Sequence, residues 1–176
     1  MRNVLSALLT TSVLLGAATG ASAATTTTTF TVSANVLKTC SVSAANLPFG
    51  NYTPGGGALT STSVVSVLCT NGTAFTAALN GGSTSGGTVA QRLMAESGGS
   101  GTLQYNLYTT AAHSIVWGDG TGSSVTQSGT GAGMAAADAQ ALTVYGQLPD
   151  NATNQAAPVT GATTAYSDTI TVTVTY

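Results

Sequence analysis

Charged side chains are scarce in this sequence. Lys and Arg together number 3, Asp and Glu number 5, and charged residues make up 5% of the 176 residues, whereas a soluble domain commonly has about 25%. Phosphate binding needs several cations, so this composition argues against nucleic acid and against a polybasic contact with a membrane. A surface built from Thr, Ser, Gly, Asn and Ala repels its own copies only weakly, and therefore tolerates close contact between them.

Residues suited to catalysis or metal binding are equally few. His113 is the single histidine, and no G-x-S-x-G nucleophile motif occurs. Asp119 lies nearby, but Gly-Asp-Gly is typical of a turn. Two Cys and one His, widely spaced, do not make a zinc site. The sequence therefore predicts no enzyme, no metal site and no cofactor.

The first 23 residues have the pattern of a secretory signal peptide. Arg2 supplies the positive start, residues 4–18 are mostly apolar, and Ala21-Ser22-Ala23 is a small-residue cleavage site. The predicted divisions are a signal peptide over 1–23, an N-terminal extension over 24–35 and a β domain over 36–176. In an exported chain, the even number of cysteines predicts one disulfide, Cys40–Cys69.

The stretch from Thr25 to Val42 is too long for one strand of a compact domain. From residue 30 onward it alternates as a β-strand does, and its apolar face comprises Phe30, Val32, Ala34 and Val36. Fully extended, residues 25–42 would span roughly 60 Å, whereas a domain of about 150 residues is only about 40 Å across. Either this stretch bends without a sequence signal for a turn, or its first half leaves the domain. A projecting strand with a free apolar face would be unstable alone and would pair with another sheet.

High Thr, Val and Gly content with short alternating segments predicts an all-β sandwich. The predicted strands cover residues 36–42, 63–69, 73–79, 89–94, 103–108, 114–117, 142–148 and 166–176. Asn71-Gly72 predicts a hairpin between the second and third of these strands. Residues 118–133 are predicted to be loop, and 134–141 to contain one or two helical turns or loop. The last strand, 166–176, is expected to lack a neighbour.

Several segments, taken in order, resemble the spore coat protein U domain family, and within it the major-pilin-like subunits of archaic (Csu-type) chaperone–usher pili. They are the alternating segment before Cys40, Leu47-Pro48-Phe49-Gly50-Asn51-Tyr52, Cys69 with Asn71-Gly72, Tyr105-Asn106-Leu107-Tyr108, Trp117-Gly118-Asp119-Gly120 and residues 166–176. The resemblance covers essentially all of the chain after residue 23.

This resemblance implies an incomplete immunoglobulin-like β-sandwich that is completed by a donor strand from another subunit. It implies that Phe30, Val32, Ala34 and Val36 form the donor face, and that the acceptor groove is lined by the terminal strand, with Ile170, Val172, Val174 and Tyr176. The implied partners are copies of the chain or related pilins, a periplasmic chaperone and an outer-membrane usher. The implied location is the cell surface, reached through the periplasm, with a role in adhesion and biofilm formation.

Two other functions fit the residues. One is a secreted spore-coat or matrix protein of the same family, built without an usher. The other is a carbohydrate-binding module that stacks sugars on Trp117, Tyr105 and Tyr108, although aromatic side chains in a sandwich more often pack in its core.

Overall fold

The computed structural model describes Gly20 and residues 22–176. Most of the predicted signal peptide therefore lies outside the described residues. The chain divides into two units, of which Val36–Tyr176 is the second. In the first unit, the described residues 22–35 are exposed and form neither helix nor strand. Among the described residues, no helix has the length and apolarity to cross a membrane.

The second unit contains two antiparallel sheets packed as a sandwich. The larger sheet has the order β1-β2-β7-β5-β4-β8, with β1 Cys40–Ala44, β2 Leu59–Cys69, β7 Gln140–Leu148, β5 Thr102–Tyr108, β4 Arg92–Glu96 and β8 Tyr166–Ser167. The smaller sheet has the order β6-β3-β9, with β6 Gln127–Thr130, β3 Ala74–Leu79 and β9 Val172–Thr175. A 3-10 turn, Ala136–Asp138, and a short helix α1, Ala152–Gln155, complete the described elements. The all-β prediction is confirmed.

The core lies between the facing surfaces of the two sheets, and the period-2 pattern explains how it forms. In β2, Val65 and Val67 are buried while Val64 on the other face is exposed. Each second residue of a strand points to the same face, so an alternating sequence places one apolar row inside. Trp117 is fully buried and donates its indole N–H to the carbonyl oxygen of Ala77, 2.9 Å away.

The predicted disulfide is confirmed. Cys40 and Cys69 are directly opposite each other in the β1–β2 register and are bonded through their sulfurs. The bridge joins the start of edge strand β1 to the end of β2, and closes a loop with a sequence separation of 29. In the chain-entropy treatment a loop of this length stabilises the fold by roughly 3–4 kcal/mol.

The predicted hairpin at Asn71-Gly72 is wrong. β2 pairs with β1 and β7, whereas β3 pairs with β6 and β9, so the turn carries the chain from one sheet to the other. Gly72 has φ of 76°, but Asn71 is not among the residues with positive φ. A type I′ hairpin turn needs positive φ at both central residues, because only then does its twist match two paired strands.

Three other predictions need correction. Residues 118–133 are not all loop, because β6 lies within them and pairs with β3. Residues 166–176 do not form one strand: β8 pairs with β4 in the larger sheet, while β9 pairs with β3 in the smaller one. The predicted strand at 114–117 is reduced to isolated bridges at Val116 and Trp117.

Candidate functional site

An open groove of about 1020 Å³ runs into the sandwich from one side. One wall is the segment that follows β1, residues 44–52, and the other is formed by residues 162–172. The floor consists of core side chains from both sheets, namely Val65, Leu79, Leu103, Leu107, Val144 and Leu148. These floor side chains are only 1–6% exposed, so the groove reaches the edge of the core while the core itself stays largely covered.

The groove lies where the smaller sheet ends. β9 pairs with β3, and among the described residues no strand pairs with its other edge. The N–H of Thr171 donates to the side-chain oxygen of Asn80 (2.9 Å), and the N–H of Asn80 donates to the carbonyl of Thr171 (3.2 Å). Backbone groups alternate in direction along an antiparallel strand, so those of Ile170 and Val172 point to the unpaired edge. Their side chains line the groove.

The facing strand β1 is also incompletely covered. Val42 is directly opposite Val67, and opposite residues of an antiparallel pair lie on the same face. Val67 is 0% exposed, but Val42 is 42% exposed. The inner face of the larger sheet is thus incompletely covered at its edge strand β1.

The first wall is packed onto a glycine of β7. A Cβ on Gly146 would lie 2.7 Å from Cδ2 of Leu47 and 3.0 Å from Cζ of Phe49, closer than side chains approach. Phe49 also meets Tyr105 edge-to-face, with ring centroids 6.1 Å apart. Gly146 therefore allows Leu47 and Phe49 to lie against the sheet and form a fixed border for the groove.

Asp150 fixes the next part of the same wall. Its carboxylate accepts hydrogen bonds from the Tyr52 hydroxyl and from the amides of Gly57 (2.8 Å) and Gly55 (3.1 Å). The bond from Tyr52, followed by those from the two amides, lowers the pKa of Asp150 to about 2. Burial and the bond to Asp150 raise the pKa of Tyr52 to about 12.

We expect Asp150→Asn to reduce the acid sensitivity of the fold. The lowered pKa means that ionised Asp150 stabilises the protein above the ordinary carboxyl pKa of about 3.9, and that this contribution is lost as the pH falls toward 2. Urea unfolding at several pH values should show a lower stability for the variant at pH 7 and a smaller loss between about pH 4 and pH 2. Asp138→Asn is the control, because Asp138 accepts only from Ala135 in its own turn. An unchanged acid slope in Asp150→Asn would contradict the assignment.

Beneath the groove, Arg92 of β4 is fully buried and reaches three acceptors. Its guanidinium donates to the carbonyl oxygens of Asn80 and Trp117, both at 2.9 Å, and to the side-chain oxygen of Asn106. Burial lowers the pKa of Arg92, and the nearby Tyr105 and Asp168 oppose this effect. Arg92 thereby connects three separate segments of the sandwich.

The predicted site residues do not all lie in the groove. Ile170 and Val172 line the groove, whereas Val174 packs against the core outside it. Tyr176 is 56% exposed and borders a separate shallow depression beside Ala74 and Thr76. The proposed donor side chains are all exposed, at 87% for Phe30, 83% for Val32 and 89% for Val36, with Ala34 exposed as well.

Of the aromatic side chains suggested for sugar stacking, Trp117 and Tyr105 are not available as a platform, and Tyr108 is half-buried and packs edge-to-face against His113. Trp117 is fully buried and Tyr105 is 6% exposed.

Asp119 accepts from the N–H and hydroxyl of Thr121 in an exposed turn, as its Gly-Asp-Gly context predicts. Among the described residues, no cluster of three or more His, Cys, Asp or Glu could hold a metal ion.

The geometry defines a class: an all-β sandwich of two antiparallel sheets, with an open groove beside the edge strand β9. The Spore Coat Protein U domain model matches residues 26–173, and the chain belongs to this family. It is a family of structural proteins rather than of enzymes. A search of curated proteins found no match.

The fold also matches that of a chaperone–usher pilus subunit. The similar chain is in the crystal structure of the CsuC–CsuE chaperone–tip adhesion subunit pre-assembly complex from archaic chaperone–usher Csu pili of Acinetobacter baumannii. The TM-score is 0.53 and the sequence identity 22%, over 80% of this chain and 40% of that one. At this identity the likeness concerns the fold.

Proposed function

We propose that this protein is a structural subunit of a chaperone–usher surface pilus that polymerises by donor-strand exchange. In this reaction the N-terminal segment of one subunit enters the groove of the next. The observation that carries the proposal is the groove beside β9, where a strand edge has no partner among the described residues and the half-buried Ile170 and Val172 line the opening. Residues 24–36 supply a segment of alternating sequence whose apolar side chains are exposed.

The donor and the groove have complementary requirements. Phe30, Val32 and Val36 would leave water on insertion, and burial of side chains of this size stabilises by about 1.5–3 kcal/mol each. The backbone groups at the open edge of β9 would gain a hydrogen-bonded partner, as in other cases of strand addition. The polar face, with Thr31, Ser33 and Asn35, would remain toward solvent.

The partners follow from the same groove. A groove with an unpaired strand edge needs a temporary occupant during export, which we assign to a periplasmic chaperone, with an outer-membrane usher catalysing the exchange. The similar chain comes from a complex between such a chaperone and a pilus subunit. The product would be a fibre of this chain, or of this chain with related pilins, on the cell surface, where it would support adhesion and biofilm formation.

The proposal is tested with two variants, each of which introduces one aspartate on a different face of the donor segment. Phe30→Asp should reduce ladders of oligomers on unheated SDS gels of the exported protein by at least about 100-fold, because a carboxylate cannot be buried in an apolar groove at low cost. Thr31→Asp, which adds the same charge on the opposite face, should polymerise like the wild type. Equal ladders from the two variants would contradict donor-strand exchange, as would a wild-type protein that forms none.

A further inference from the structure

The acceptor strand β9 is attached to the rest of the sandwich on one side only, so something must hold it in place before a donor arrives. It pairs with β3 over the short register from Val172 to Thr175. Asp168 directly follows β8, at the point where the chain leaves the larger sheet and crosses to β9 of the smaller one. This crossing point lines the groove.

Asp168 is bound by residues from two other parts of the chain. One carboxylate oxygen accepts from the amides of Ser83 (2.8 Å) and Thr84 (3.0 Å), and from their hydroxyls at 2.9 and 3.1 Å. The same oxygen also accepts from the amide of Thr169 at 2.8 Å. The second oxygen accepts from the Tyr105 hydroxyl at 2.6 Å. We call Ser83, Thr84, Tyr105 and Asp168 the Asp168 clamp.

The loop that follows β3 is shaped to receive this carboxylate. A Cβ on Gly82 would lie 2.0 Å from Asp168 Oδ2, and Gly82 has φ of 95°. Only a residue without a side chain fits there, and its positive φ suits glycine. The side chain of Asn80 accepts from Thr171 at the other end of the crossing segment. Residues 168–171 are thus attached to loop 80–84 at both ends.

We propose, resting on the function proposed above, that Asp168 is a positioning residue for strand acceptance: through the clamp it keeps β9 in the smaller sheet and the groove open for an incoming strand. Once a donor is inserted, β9 has partners on both edges, and the clamp is then less needed. The clamp is formed by Ser83, Thr84, Tyr105 and Asp168, so the donor segment, residues 24–36, contributes no residue to it. The clamp should therefore affect accepting a strand and not donating one.

The test separates these two activities in the full-length exported protein. Asp168→Asn keeps the size of the side chain but replaces the charged acceptor by an amide whose NH₂ faces hydrogen-bond donors. Because bonds to a charged group contribute about 1.5–3 kcal/mol, we expect at least about tenfold fewer SDS-resistant oligomers. Asp119→Asn is the matched control, since Asp119 lies in an exposed turn and accepts from Thr121, and it should polymerise like the wild type.

The decisive sample is a mixture of Asp168→Asn with Phe30→Asp. Asp168→Asn can donate its N-terminal strand but cannot accept one, and Phe30→Asp can accept a strand but cannot donate one. Together they should give a discrete dimer and no oligomers longer than that dimer. Wild-type ladders from Asp168→Asn alone would overturn the proposal. So would the absence of the dimer, because the defect would then not be confined to acceptance.

Tyr105→Phe keeps the inference testable if Asp168→Asn fails to fold. It removes one bond of the clamp, and it should lower polymerisation partially while Trp117 fluorescence stays that of a buried indole. A Tyr105→Phe protein that folds and polymerises fully would overturn the role of the clamp. If the wild type itself forms no ladder, or Phe30→Asp polymerises like it, the proposed function fails and the clamp is not the cause.

Discussion

A chain that begins at Val36 and carries residues 24–36 again after Tyr176, through a short Gly/Ser linker, is expected to be a monomer. It should unfold on the order of 20 °C above the chain that begins at Val36 without the addition. The appended segment would fill the groove of its own molecule, so no edge of β9 would remain open to a second one. Thermal unfolding followed by circular dichroism, with the mass determined by light scattering, measures both properties.

The size of the effect follows from the side chains that leave water. Burial of Phe30, Val32 and Val36 contributes roughly 4.5–9 kcal/mol in total, and each kcal/mol shifts the midpoint of a domain this size by about 2–4 °C. The control is the same addition with Phe30→Asp and Val32→Asp, which should abolish the gain. If the chain that begins at Val36 melts as high as the chain with the addition, the sandwich is complete without a donor and the proposed function is wrong.

Arg92→Met is expected to destabilise the monomer with the appended segment by about 2–6 kcal/mol. The carbonyl oxygens of Asn80 and Trp117 lose their donor, at a cost of about 1–3 kcal/mol each, whereas the side-chain oxygen of Asn106 keeps the bond from the Leu107 amide. Arg92→Lys should recover little, because an ammonium group cannot match the planar fork that reaches Asn80, Asn106 and Trp117 together. Guanidinium unfolding measures the loss.

Gln91→Met, at an exposed neighbouring position, is the control for the Arg92 variants and should change the stability by less than about 0.5 kcal/mol. A loss below about 1 kcal/mol in Arg92→Met would mean that water replaces the guanidinium at its acceptors. It would then follow that Arg92 does not connect the three segments energetically.

Several strands, though not all of them, could be predicted from local pattern, but their assignment to sheets could not. Alternation in residues 63–69 and 103–108 depends on which side chains face the core, and this is visible in the sequence. The partner of a strand depends on the path of the chain between strands. Asn71-Gly72 has the composition of a hairpin turn, yet its backbone turns the chain into the other sheet.

An acceptor groove was expected from the family resemblance. The roles of Gly146 and Asp168 beside the groove were not predicted from the sequence. Gly146 interrupts an apolar strand, and a glycine there often marks a close approach by another segment, here Leu47 and Phe49. Asp168 interrupts the run of residues 166–176, where an isolated acid disfavours a continuous strand. Both residues stand out in the sequence, but the sequence does not show which segments contact them. The role of Arg92 depends on acceptors from three distant segments.

The disulfide has a mechanical consequence. Cys40 follows the N-terminal segment directly, and Cys69 ends the central strand β2. Tension applied to the chain before residue 40 therefore passes through one covalent bond to residue 69, and the segment between them carries no load. While the bridge is intact, a stretched molecule cannot gain length from that loop, whose sequence separation is 29. In an oxidising environment, residues 41–68, including the Leu47–Phe49 border of the groove, are thus shielded from pulling.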